Sequence, residues 1–106
     1  MTELEGRKND TGKLRVDLLP VDALESVSEV LTFGAKKYAD RNWEKGMSWS
    51  RVYGAGLRHL FAFWKGENSD PESGLPHLAH AMCCVMFLLS YYLRNTPGED
   101  RPCVST

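Results

Sequence analysis

Paired cysteines, long apolar runs and an excess of either charge are all missing from this chain, and each absence closes off a class of protein. The three cysteines, Cys83, Cys84 and Cys103, form no CxxC pair. That excludes a disulfide framework or zinc ribbon and points to a reducing, cytoplasmic compartment. The polar stretch from Thr2 to Lys13 lacks the apolar centre of a secretory leader. The most apolar stretch, Ala81 to Leu89, is bracketed by His77, His80 and Ser90, well short of the roughly 18 residues of a membrane span. With 13 basic against 14 acidic residues the net charge is −1, so neither a membrane nor a nucleic-acid polymer is an expected partner. GxxxxGK[ST] and GxGxxG phosphate loops, a His-Asp dipeptide and a serine nucleophile elbow are absent as well.

What is present suits one globular domain: 106 residues, 42% hydrophobic and 25% charged. Residues 1–17 form a polar arm, 18–94 a helical domain and 95–106 a loose tail rich in turn formers. After Pro20, Leu24, Val27, Val30 and Leu31 recur at helical spacing. Gly34 is a plausible stop, with Ala35–Lys37 able to extend the helix. Ser48 or Ser50 opens a second helix whose stripe is Tyr53, Leu57, Leu60, Phe61 and Trp64, ended by Gly66. A turn-rich loop leads to Pro76 and a third helix reaching about Leu93. No strand pattern emerges. The fold class is all-α, a bundle of three to four helices. The third helix is apolar on all sides, with more apolar surface than two neighbouring helices can cover, which predicts a homo-oligomer, dimer or tetramer, unless the 38–49 loop and its tryptophans cover it.

Near-neutral charge conceals a pattern. Lys36, Lys37, Arg41, Lys45, Arg51, Arg58 and Lys65 crowd the middle, while Asp17, Asp22, Glu25 and Glu29 precede them and Glu67, Asp70 and Glu72 follow. Carboxylates for a divalent cation beside cations for phosphates suit a nucleotide phosphohydrolase. Solvated surface charges, worth about 0–1 kcal/mol per ion pair, account for the pattern equally well. Asp22, Glu25 and Glu29 share one helix face, a metal face only if other ligands meet it. Glu67, Asp70 and Glu72 have the ligand type magnesium takes, or make a polar turn. His77, His80 and Cys84 line one side of the third helix, as a weak zinc pattern or as partners of the acidic loop. His59 lies opposite the second helix's stripe among Ala55, Gly56 and Ala62, where a ligand or another helix can approach closely.

Several segments in fixed order then carry a family resemblance: Thr11-Gly-Lys-Leu-Arg-Val-Asp-Leu-Leu-Pro20, Phe33-Gly-Ala-Lys-Lys-Tyr38, Asn42-Trp43, Arg58-His59-Leu60, and the stretch from Gly66 through Glu67, Asp70-Pro71-Glu72-Ser73-Gly74-Leu75 and His77 to His80-Ala81. Over residues 10–93 the chain resembles the small dATP/dGTP diphosphohydrolases of the MazZ type, phage and bacterial proteins related to the MazG-like all-α nucleotide pyrophosphohydrolases. The resemblance implies cleavage of a purine deoxynucleoside triphosphate between the α and β phosphates, with Mg2+ or Mn2+. Relatives carry EExxE and ExxD segments. Asp22, Glu25 and Glu29 only approximate the first; Glu67-x-x-Asp70 matches the second by letter and His77-x-x-His80 by position. On this footing Glu25, Glu29, Glu67, Asp70 and Glu72, with His77 and His80, are the candidate metal ligands. Lys36, Lys37, Arg51 and Arg58 are candidates for the phosphates, with Lys13 and Arg15 closing over them. His59 is the candidate proton acceptor, beside Glu67 and Asp70 as catalytic groups. Trp43 either stacks on the purine, with Asn42 reading its edge, or is structural. A nucleotide-binding regulator and a helical interaction module are the rival functions.

Overall fold

The computed structural model describes residues 6–103; the first five residues of the arm and the last three of the tail lie outside them. Three helices, α1 (Val21–Lys37), α2 (Trp49–Trp64) and α3 (His77–Arg94), are joined by loops, with 3₁₀ turns at Val16–Leu18 and Asn42–Lys45. The fold is all-helical. Its nearest approach to a sheet among the described residues is one bridge between Ser69 and Pro76. No described helix is long and apolar enough to cross a membrane.

α1 begins directly after Pro20 and runs through Gly34 to Lys37. Val27 and Val30 are already anchored one turn earlier, and Lys36 and Lys37 sit favourably at the negative end of the helix dipole. α3 is the central element, with α1 and α2 both packed on it. On one side Val27 and Val30 meet Ala79 and Cys83. On the other, Trp49 and Val52 meet Tyr91, with Trp43, Cys84 and Phe87 around them. Burying each of the larger apolar side chains stabilises the fold by about 1.5–3 kcal/mol.

The face α2 turns inward is not its most apolar one. Trp49, Val52 and Gly56 are buried, whereas Tyr53, Leu60, Phe61 and Trp64 point outward, Trp64 being 88% exposed. Close approach is the reason: a Cβ at Gly56 would lie 3.1 Å from the Cβ of Cys84, so small residues win the contact with α3. Periodicity in the sequence identifies an apolar face without saying what lies against it. Leu78, Met82, Val85, Met86, Leu89 and Leu93 line an exposed stripe of α3. The Cα radius of gyration is 17.8 Å, against about 13 Å for a compact chain of this size.

Ser48 stands at the N-cap of α2 without a side-chain cap bond. The C-terminal segment does the capping. Gly98 accepts the N–H of Trp49 at 3.0 Å. The Asp100 carboxylate accepts the N–H of Ser50 at 2.9 Å and its hydroxyl at 2.5 Å. The Arg101 guanidinium lies 5.4 Å from the centre of the Trp49 ring.

Candidate functional site

The end of α2 and the loop after it place the chemistry. At Gly66, φ +104, the N–H of Gly66 bonds the Phe63 carbonyl and that of Glu67 the Ala62 carbonyl. This paired C-terminal closure is one a left-handed glycine permits. It turns the chain sharply and sets Glu67 beside the start of α3. The loop is then zipped by the N–H of Asp70 to Leu75, of Gly74 to Asp70 and of His77 to Asn68. Asp70 Oδ1 accepts the N–H groups of Glu72 and Ser73 at 2.9 and 3.0 Å.

Three donors converge there: His59 from α2, Asp70 from the loop and His77 from the first turn of α3, with ligand atoms all within 4.8 Å of one another. His59 Nδ1 lies 2.9 Å from His77 Nδ1 and 4.0 Å from Asp70 Oδ2. The remaining polar atoms are largely engaged. His77, 4% exposed, directs Nε2 at Glu67 Oε1 at 2.6 Å. Asp70 commits Oδ1 to the backbone and leaves Oδ2 facing His59. The His59 ring lies flat on that of His80, whose Nε2 meets the Ser73 hydroxyl at 2.7 Å; the hydroxyl also accepts the Leu75 N–H.

The electrostatics favour uncharged forms of His59 and His80 beside an ionised Asp70. Burial pushes the His59 pKa down, the neighbouring His80 adds to this, and Asp70 opposes it. Burial lowers His80 too. Asp70 is partly desolvated, which alone would raise its pKa, but the N–H groups of Ser73 and Glu72 and the nearby imidazoles outweigh that and hold it below the usual carboxylate range. Neutral nitrogens and an anionic oxygen are the forms a cation binds. Two imidazoles with one carboxylate fit a first-row transition ion better than magnesium, which prefers an all-oxygen shell. The donor set fits a divalent metal.

The cluster opens into a cavity of about 960 Å³ between α1, the Tyr38–Met47 connection and the α2–α3 pair. Lys37, Asn42, Trp43, Arg51, His59, Asp70, Glu72 and His80 all border it. Lys37 is ion-paired with Glu72. Trp43 stacks on Phe87 with ring centroids 4.7 Å apart, and its carbonyl accepts the Tyr91 hydroxyl at 2.6 Å. Glu25, Glu29 and Lys36 border an adjoining groove of about 630 Å³ along α1, which shares Thr32 and Phe33 with the cavity and is also lined by Ser73, the partner of His80. Lys13, Arg15 and Arg58 are exposed, with Arg15 paired to Asp17 at 2.9 Å. Ser73 and Phe87, which support His80 and Trp43, carry no clear signal in the sequence; only the fixed run around Asp70 hinted at the first. Cys84 lies under Gly56, at the α2–α3 contact, and is not part of the metal group.

Fold and site together define an all-helical chain with a His/Asp cluster at the edge of an open cavity. The chain belongs to the family described as "dATP/dGTP diphosphohydrolase, N-terminal", whose model matches residues 3–101. A curated relative, the "dATP/dGTP diphosphohydrolase" of Salmonella phage PMBT28, is 36% identical over 97 residues, covering 92% of this chain and 33% of that protein. The chain thus spans about a third of the length of that relative. No solved structure matches it.

Proposed function

We propose that the chain is a metal-dependent nucleotide pyrophosphohydrolase acting on dGTP, dATP or both, and releasing the monophosphate and pyrophosphate. The observation that carries this is the convergence of His59, Asp70 and His77 at the edge of a cavity large enough for a nucleotide. Family membership and the relative's name support the substrate class.

His59 and His77, through Nδ1, and Asp70, through Oδ2, hold the cation, and their imidazole content favours Mn2+ over Mg2+. When bound, such an ion polarises a phosphoryl oxygen and lowers the pKa of a water. Arg51 and Lys37 neutralise phosphate charge along the cleft, Lys37 exchanging Glu72 for the substrate. Trp43, Met47 and Phe87 form its apolar wall, against which the purine rests, with Asn42 at its edge. Trp43 is also structural, since Phe87 covers its ring and Tyr91 holds its carbonyl. His80 acts by supporting His59. Lys13 and Arg15 close over the phosphates by movement of the arm. Glu25, Glu29 and Lys36 line the adjoining groove, and Arg58 adds positive charge beside His59.

The exposed stripes of α2 and α3 form the face of a homo-oligomer. A second copy laid across them converts two helices into a four-helix contact and covers the apolar side chains a single chain leaves in water.

The deciding experiment incubates the protein with each dNTP and NTP, with Mn2+, Mg2+ or neither, and identifies products by mass. The expected result is dGMP or dAMP with pyrophosphate, fastest with Mn2+. Binding without pyrophosphate release makes the protein a regulator. Absence of any thermal shift with dNTP and Mn2+ makes it an interaction module.

A further inference from the structure

We infer that Glu67 is a positioning residue that sets the tautomer of His77, not a ligand of the cation. The inference rests on the metal centre proposed above and concerns how one of its donors is prepared. Glu67 Oε1 lies 2.6 Å from His77 Nε2, and an ionised carboxylate only accepts hydrogen bonds. The proton of an uncharged His77 is therefore on Nε2, and Nδ1 carries the lone pair. That lone pair faces His59 Nδ1 at 2.9 Å, the side on which Asp70 Oδ2 also lies within reach of His59. Without a cation, the contact is satisfied by His59 donating its Nδ1–H to His77. To bind a cation, His59 carries its proton on Nε2 instead, while His77 needs no change.

Local geometry keeps Glu67 in this role. The hydrogen bond of its own N–H to Ala62 fixes its backbone beyond the end of α2, and its side chain stays 53% exposed while Oε1 holds the buried imidazole. Glu67 is not among the three residues whose ligand atoms come together. A carboxylate gripping the far nitrogen of a metal-binding imidazole orients the ring and raises its basicity, and loss of such a partner typically weakens metal binding about 10–100-fold.

The test uses the intact chain at pH 8. Long-range 1H–15N NMR on metal-free protein reads the His77 tautomer, and Mn2+ titration followed by electron paramagnetic resonance reads affinity, with far-ultraviolet circular dichroism as the check on folding. Wild type is expected to show His77 protonated on Nε2 only. Glu67→Ala is expected to bind Mn2+ about 10–100-fold more weakly with unchanged helicity, and Glu67→Gln, whose amide oxygen still accepts the Nε2–H, to recover part of the loss. A His77 protonated on Nδ1 or on both nitrogens overturns the inference, as does a folded Glu67→Ala variant that binds Mn2+ like wild type. If wild type itself binds no Mn2+, the metal centre falls, and the tautomer alone decides what Glu67 does. Should Glu67→Ala not fold, the wild-type tautomer and the Mn2+ affinity of Glu67→Gln still decide between the two roles.

Discussion

His59 lies flat against His80, with ring centroids 4.6 Å apart and planes 11° from parallel. The stack braces His59 from one side while His77 and Asp70 face its Nδ1, and it distinguishes a supporting role for His80 from that of a metal ligand. His80→Phe keeps an aromatic plane under His59 and is expected to retain most Mn2+ affinity. His80→Ala removes the plane and is expected to lose about 10-fold or more, as outer partners of metal sites do. Equal loss in both variants, measured by Mn2+ titration, would make His80 a ligand.

Tyr91 is 1% exposed, and its hydroxyl ties α3 to the Asn42–Lys45 turn through the Trp43 carbonyl. Tyr91→Phe leaves that carbonyl without its partner. The expected cost is about 1–3 kcal/mol, read as a lower urea midpoint with an unchanged m-value. If Trp43 forms the wall for the base, KM for dGTP rises as the turn loosens while kcat changes less.

Hydrogen bonds from the Ser50 hydroxyl and N–H hold the Asp100 carboxyl below the usual carboxylate range. A depressed carboxylate stabilises the folded state at pH values above its unfolded pKa of about 3.9. That contribution is lost as pH falls through the lower, folded value. Acid titration of the melting temperature is expected to show this loss in wild type. In Asp100→Asn the acid-side slope is shallower, because the capping group there no longer titrates.

Val85 and Leu89 lie on the outward stripe of α3, 59% and 54% exposed in the single chain. If the proposed homo-oligomer forms through this stripe, Val85→Glu with Leu89→Glu is expected to leave helicity intact and to lower the mass to that of a monomer in light scattering coupled to gel filtration. An unchanged mass for the double variant would place the interface elsewhere.

Helix number, order and approximate ends were legible in the sequence because proline, glycine and apolar spacing act locally. The family was legible too, since its motifs occur in fixed order. The inward face of α2 was not. Tyr53, Leu60 and Phe61 outweigh Val52 and Gly56 in apolar area, and only packing against Cys84 shows that the smaller residues win. The C-terminal cap was hidden for a related reason: Ser50 and Asp100 are fifty residues apart, and nothing local links them. At the candidate site, His59, Asp70 and His77 each stood out in the sequence. The division of labour among them required the atoms, because which nitrogen of His77 faces Glu67 has no signature in residue order.

The placement of α3 between two helices that share no comparable packing with each other also sets how the molecule opens. α2 is fastened to α3 along much of its length, whereas α1 rests mainly on the patch around Val27 and Val30. Native-state hydrogen exchange is therefore expected to show two tiers, with α1 amides released at lower free energy than those of the α2–α3 hairpin. An opening of α1 would carry Lys37 and Tyr38 away from Trp43 and His59, with which they line the cleft. The cleft thus has one wall on the more extensively packed α2–α3 pair and the other on the more lightly packed α1.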